Sequence, residues 1–168
     1  KTLYKNPIIY HTHITMLEKT MYKIALILHL FGASIWVGGH LYLLIRLMPN
    51  FIRQNDVAGF LAFEKSYKPL GMTALAVQVV TGFYMLTTLL PPSLWGQNMG
   101  MLTALVHGKL TWLILTILTA LHARFRVVKK LENGTHSANT LKIMGIHVGL
   151  ICLWSVAFVI NGAFFRFG

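Results

Sequence analysis

Four runs of the chain are almost free of charge, and each is long enough to cross a bilayer. Residues 24–45, 70–90 and 143–165 contain no Lys, Arg, Asp or Glu, and 102–123 contains only Lys109. The hydrocarbon core of a membrane takes about 20 apolar residues as a helix. Runs of this length exceed an ordinary strand or core helix. In lipid, a helix satisfies its own backbone without closing a barrel. The expected fold is therefore all-α, an integral membrane four-helix bundle. A polar N-terminal segment, 1–23, precedes a domain at 24–165 with spans near 24–46, 69–90, 102–124 and 142–165.

Charge supports this reading. Only 11% of residues are charged while 55% are hydrophobic, against about a quarter charged in a soluble domain. The net charge of +11 does not point to nucleic acid, because the basic residues flank the apolar runs, as topology control and anionic headgroups require. Lys1, Lys5, Lys19 and Lys23 precede the first run. Arg46, Arg53, Lys65 and Lys68 follow it. Arg124, Arg126, Lys129, Lys130 and Lys142 separate the third run from the fourth. Cys152 is the one cysteine, so no disulfide forms within the chain. Residues 1–22 lack the continuous apolar stretch of a cleavable signal.

Breaks are expected at Met48-Pro49-Asn50, at Pro91-Pro92 and at Glu132-Asn133-Gly134. The 51–67 connection, aromatic and charged, reads as a short interfacial helix. No sequence repeat is strong enough to indicate duplicated halves. The 91–101 connection has no Lys or Arg. By the positive-inside rule it faces outward with both termini, and the two basic connections are cytoplasmic. Trp95 and Tyr67 fit interfacial anchoring.

Eight histidines are present, five of them within the apolar runs: His29, His40, His107, His122 and His147. An intramembrane imidazole is costly and faces the bundle interior. Alone, each reads equally well as a hydrogen bond to a neighbouring helix. Together they carry a pattern. His29 and His40 are eleven positions apart, about 20° of helical rotation and about 16 Å of rise. His107 and His122 are fifteen apart, about 60° and about 22 Å. Spans one and three are parallel, so His29 and His107 share the outer level. His40, His122 and His147 share the cytoplasmic level. Two imidazole levels on one face suit haem held between helices. This spacing pairs His29 with His107 at an outer haem, and two of His40, His122 and His147 at an inner one. Gly32, Ala33, Gly38, Gly39 and Gly108 would admit a flat macrocycle or, equally, close helix packing.

Other groups have weaker patterns. Lys109 is about 160° from His107 around the helix, which fits snorkelling or a haem propionate better than ligation of the same iron. Gln78, Arg46 and Asn161 can hydrogen-bond within the core. His11-Thr12-His13 with Met16, and Met99-Gly100-Met101, would suit Cu(I), although methionine in such a chain is mostly apolar filler.

The stretch His29-Leu30-Phe31-Gly32-Ala33-Ser34-Ile35-Trp36-Val37-Gly38-Gly39 resembles the first-helix motif of the copper resistance protein D (CopD) family. Tyr42-Leu43-Leu44-Ile45-Arg46-Leu47 and His107-Gly108-Lys109-Leu110, with His122 beyond, resemble the related HemJ-type protoporphyrinogen oxidases. The resemblance implies four-helix units. In the HemJ branch it implies one haem b held with the help of His29 and Lys109. CopD proteins proper are usually longer, and a single-haem oxidase does not require His40 or His147. The expectation is a bacterial inner-membrane b-type cytochrome, with two haems, serving larger redox complexes or a quinone. The alternatives are a protoporphyrinogen oxidase-like enzyme and a copper-handling protein.

The charge pattern makes a topological prediction. In whole cells, cysteine introduced at Ser93 reacts with an impermeant reagent, and cysteine introduced at Asn133 does not. The opposite labelling would reverse the orientation.

Overall fold

A computed structural model describes residues 7–90, 92, 100–135, 137 and 139–164, and their side chains from residue 16 onward. It forms four long helical rods. The first runs through α1 (Pro7–Tyr42), a π-helical turn at Leu43–Leu47 and α2 (Met48–Gln54). The second is α3 (Val57–Leu89). The third runs through α4 (Met101–His122), a π-helical turn at Ala123–Val128 and α5 (Lys129–Glu132). The fourth is α6 (Thr140–Phe164). Each rod is long and apolar enough to span a membrane. Outward-facing residues such as Ile27, Phe31, Val80, Leu118 and Leu153 are exposed, as lipid-facing side chains should be. The chain is an all-α, multi-pass bundle.

The expected break at Pro49 is not a break. The π turn before it bonds the Met48 N–H to Leu43 O, five residues back. Pro49 then falls in the first turn of α2, where its missing N–H costs little. The chain reverses instead at Asn55, which takes a left-handed φ of 50°. The Asp56 carboxylate caps α3, accepting from the Gly59 N–H at 2.8 Å. The 51–67 connection is thus the end of one rod and the start of the next. The polar segment before residue 24 continues α1 as helix from Pro7. The turn expected at Glu132-Asn133-Gly134 is present, with Gly134 at φ 70°.

Two antiparallel hairpins make up the bundle. In the first, α1 packs along α3. Ala25, His29, Gly32 and Trp36 form its seam, a spacing of four, three and four residues that keeps one helical face turned to its neighbour. In the second, α4 packs along α6 through Leu105, Trp112 and Thr116. The Trp112 and Trp154 rings stack at 5.6 Å. The hairpins join most tightly at the end bearing Arg46, Arg53, Arg124 and Arg126. There Met48, Phe60, Val127, Leu131, Leu141 and Val148 form one buried cluster. The π turn rotates α2 so that Met48 and Ile52 close on Gly145 of α6. Toward the opposite end, α1 touches α6 more sparsely, and α4 makes no extensive contact with α1 or α3 among the described residues.

Gly32 allows the first hairpin to close. A Cβ there would lie 2.8 Å from the Ala74 carbonyl oxygen, whereas one at Gly38 would meet nothing within 4 Å. Gly32→Ala is expected to destabilise the protein in detergent by about 1–3 kcal/mol, and Gly38→Ala to leave it unchanged. Equal thermal midpoints for the two variants would refute this packing.

Candidate functional site

His29 lies on the face of α1 that meets α3, and it is only 7% exposed. Its Nδ1 is 3.0 Å from the Gln78 carbonyl oxygen and 3.1 Å from Thr81 Oγ1. A carbonyl only accepts, so Nδ1 carries the proton. The Thr81 hydroxyl donates onward to Val77 O at 2.6 Å and can accept from His29. The neutral ring then presents an Nε2 lone pair that has no hydrogen-bond partner among the described residues. Metal-binding histidines are prepared in this way, with the second nitrogen fixed by a backbone carbonyl.

Two other intramembrane histidines also donate Nδ1–H to a backbone carbonyl. His40 Nδ1 donates to Trp36 O at 2.8 Å, with its ring 4.4 Å from Trp36 and edge-on to Tyr67 at 5.7 Å. Tyr67 is held over Gly39 by a hydroxyl that donates to Ile35 O at 2.9 Å. His147 Nδ1 donates to Ile143 O at 2.8 Å. Its Nε2 is 2.8 Å from His122 Nδ1, with the two rings nearly parallel.

The rotational setting of α4 decides what faces His29. Gly108 meets Asn161 of α6, and the Lys109 stem lies 3.4 Å from where a Cβ on Gly162 would be. His107, nearly opposite Lys109 around the helix, therefore turns outward and is exposed. The outer pairing of His29 with His107 suggested by their spacing is not the arrangement found. Phe158 of α6 links His29 to Lys109 instead. Its ring centre is 6.4 Å from the His29 ring and 5.3 Å from Lys109 Nζ. These two distances place Lys109 Nζ within about 12 Å of the His29 ring centre. Lys109 Nζ sits over the ring face. Beside it, Asn161 Oδ1 is buried without a hydrogen bond.

Of the three histidines expected at the inner level, His122 and His147 come together and His40 stands apart. His40 belongs to the α1–α3 seam, and His122 is bonded to His147. The His122–His147 pair, at 2.8 Å, is a hydrogen bond in this structure. No group of three or more His, Cys, Asp or Glu side chains is placed to hold a metal among the described residues. Of the residues suited to copper, His11, His13 and Met99 lie outside the described side chains, and Met16 and Met101 are exposed.

Sequence reasoning missed a correspondence between the two hairpins. His29 and Lys109 are eighty positions apart, as are their neighbours Gln78 and Phe158, Gly82 and Gly162, and the π-turn starts Leu43 and Ala123. Gly82 lies under the His29 ring as Gly162 lies under the Lys109 stem. The only sequence signals were isolated identities such as Arg46 with Arg126 and Gly82 with Gly162. The two residues therefore occupy equivalent places in repeated helix pairs. No protein family, curated protein or solved structure matches the chain.

Proposed function

We propose that this chain is a membrane b-type cytochrome, carrying electrons through a haem b held between its two hairpins. The observation that carries the reading is the convergence of His29 and Lys109, from equivalent positions of the two hairpins, on one layer beside Phe158. The donor set fits the group. His29 has a pre-oriented Nε2 lone pair, Lys109 a nitrogen at the same level, and Asn161 an unpaired buried oxygen. The sparse packing of α4 on α1 and α3 fits a group seated between the hairpins. When bound, haem b supplies a one-electron couple at its iron.

The residues of this chain do the rest. His29 would hold the haem through Nε2, with the Gln78 carbonyl and Thr81 hydroxyl keeping its ring in register and raising its basicity. Lys109 would hold it from the second hairpin. Trp36, Phe158 and the seam side chains exclude water, lowering the local dielectric that tunes such a centre. The protein sits in a bacterial plasma membrane with its termini outward, and exchanges electrons with larger redox subunits or a quinone.

A second reading is favoured by one observation. The pairing of His29 with Lys109, rather than with His107, is what the HemJ-type resemblance implies. On that reading the same centre takes electrons from protoporphyrinogen.

Held by His29 and Lys109, the haem would be low-spin. Protein expressed with ample haem and then reduced should show a sharp visible α-band. Lys109→Leu should broaden or abolish that band while the variant still inserts. A colourless wild-type preparation would remove the cytochrome reading, and porphyrinogen turnover by the purified protein would promote the oxidase.

A further inference from the structure

The His122–His147 pair takes no part in the site above, and it opens to the membrane. It borders a cleft of about 290 Å³ lined by Leu118, Thr119, His122, His147 and Leu150. Leu118 is 57% exposed at its edge, so lipid-soluble molecules can reach the cleft from the hydrocarbon phase. The hydrogen bonds within it have a direction. Ile143 O accepts from His147 Nδ1, so the neutral His147 presents Nε2 as an acceptor. His122 Nδ1 donates to that nitrogen at 2.8 Å. The neutral His122 is left with a lone pair on Nε2 that has no partner among the described residues. The residues nearest this acceptor are leucines and a threonine. The Thr119 hydroxyl is already committed to Leu115 O at 2.7 Å.

We infer that this cleft is a headgroup site for a lipid-borne quinol. The occupant must arrive through the bilayer, present a hydroxyl donor to His122 Nε2, and lay an apolar ring and tail against Leu118 and Leu150. A hydroquinone has all three features. A phosphate headgroup presents acceptors to an acceptor and does not match. The depth is suitable, because His122 directly precedes the π turn bearing Arg124 and Arg126, which mark the headgroup level. The chain Ile143 O, His147, His122 also ties the acceptor ring to the backbone of α6, so the site is held by both helices of the second hairpin. Naming the occupant as this chain's electron carrier rests on the cytochrome reading. Its binding does not, and the two are measured separately.

The test uses the full chain, without added haem, in phosphatidylcholine nanodiscs. The probe is a photoreactive benzoquinol with a ten-carbon tail. Saturable labelling is expected on peptides of α4 and α6 around residues 118–122 and 147–150. His122→Phe should weaken it by about tenfold, the loss of one hydrogen bond to the site. Leu118→Trp, which fills the cleft mouth and leaves both histidines in place, should block it. His107→Phe, on another exposed part of α4, should leave it unchanged. Labelling that does not saturate, that maps elsewhere, or that survives both His122→Phe and Leu118→Trp would overturn the site. Haem content, measured on the same variants, reports on the cytochrome reading alone and should not change with His122→Phe.

Discussion

Inside a bilayer an imidazole must find its hydrogen-bond partners in the protein, and this constraint organises the bundle. Water is not available to satisfy a ring nitrogen, and leaving one unpaired costs several kcal/mol on the order of magnitude of a buried polar group. The bond from His29 Nδ1–H to the Gln78 carbonyl meets that need and ties α1 to α3 at once. Gly32 lets the helices approach closely one turn away, and Gly82 makes room under the ring. One nitrogen is fixed by backbone and the other is left as a directed lone pair. His40 and His147 likewise fix Nδ1 on carbonyls one turn back on their own helices, and His147 Nε2 is then taken up by His122.

The two hairpins divide the work. Their basic ends converge in an apolar cluster around Met48, Phe60, Leu141 and Val148 that sets the relation of one hairpin to the other. The opposite half is less closely packed between hairpins and carries His29, Phe158 and Lys109. The π turns at Leu43–Leu47 and Ala123–Val128 separate these halves. Each adds a residue to the helical register, so the face that packs changes across it. Such turns in otherwise regular helices are frequent at functional sites.

Much of the fold could be read from the sequence, because uncharged length is a direct consequence of bilayer thickness. The four rods and the Gly134 turn follow from local properties, whereas His107 and His122, expected to face the interior, are exposed. The rod ends were less legible. Pro49 reads as a stop, but a π turn moves it into a first turn where proline is tolerated, and that depends on how α2 packs on Gly145. The site was half legible. Spacing along one helix shows that His29 and His40 share a face, but not which way α4 is rotated against α6. That rotation is set by Gly108 on Asn161 and Lys109 on Gly162, contacts more than fifty positions apart in sequence. It turns Lys109 inward and His107 outward. The eighty-residue correspondence was hidden because equivalent positions hold different side chains, histidine in one hairpin and lysine in the other.

The central claim is that one haem is held at His29, in the layer it shares with Lys109, and that His107 takes no part. The most direct test is the haem count per chain, by pyridine haemochrome assay, for the wild type, His29→Ala and His107→Ala. The account predicts one haem per chain in the wild type, its loss in His29→Ala and its retention in His107→Ala. Two haems per chain, or loss of haem in His107→Ala with retention in His29→Ala, would contradict it.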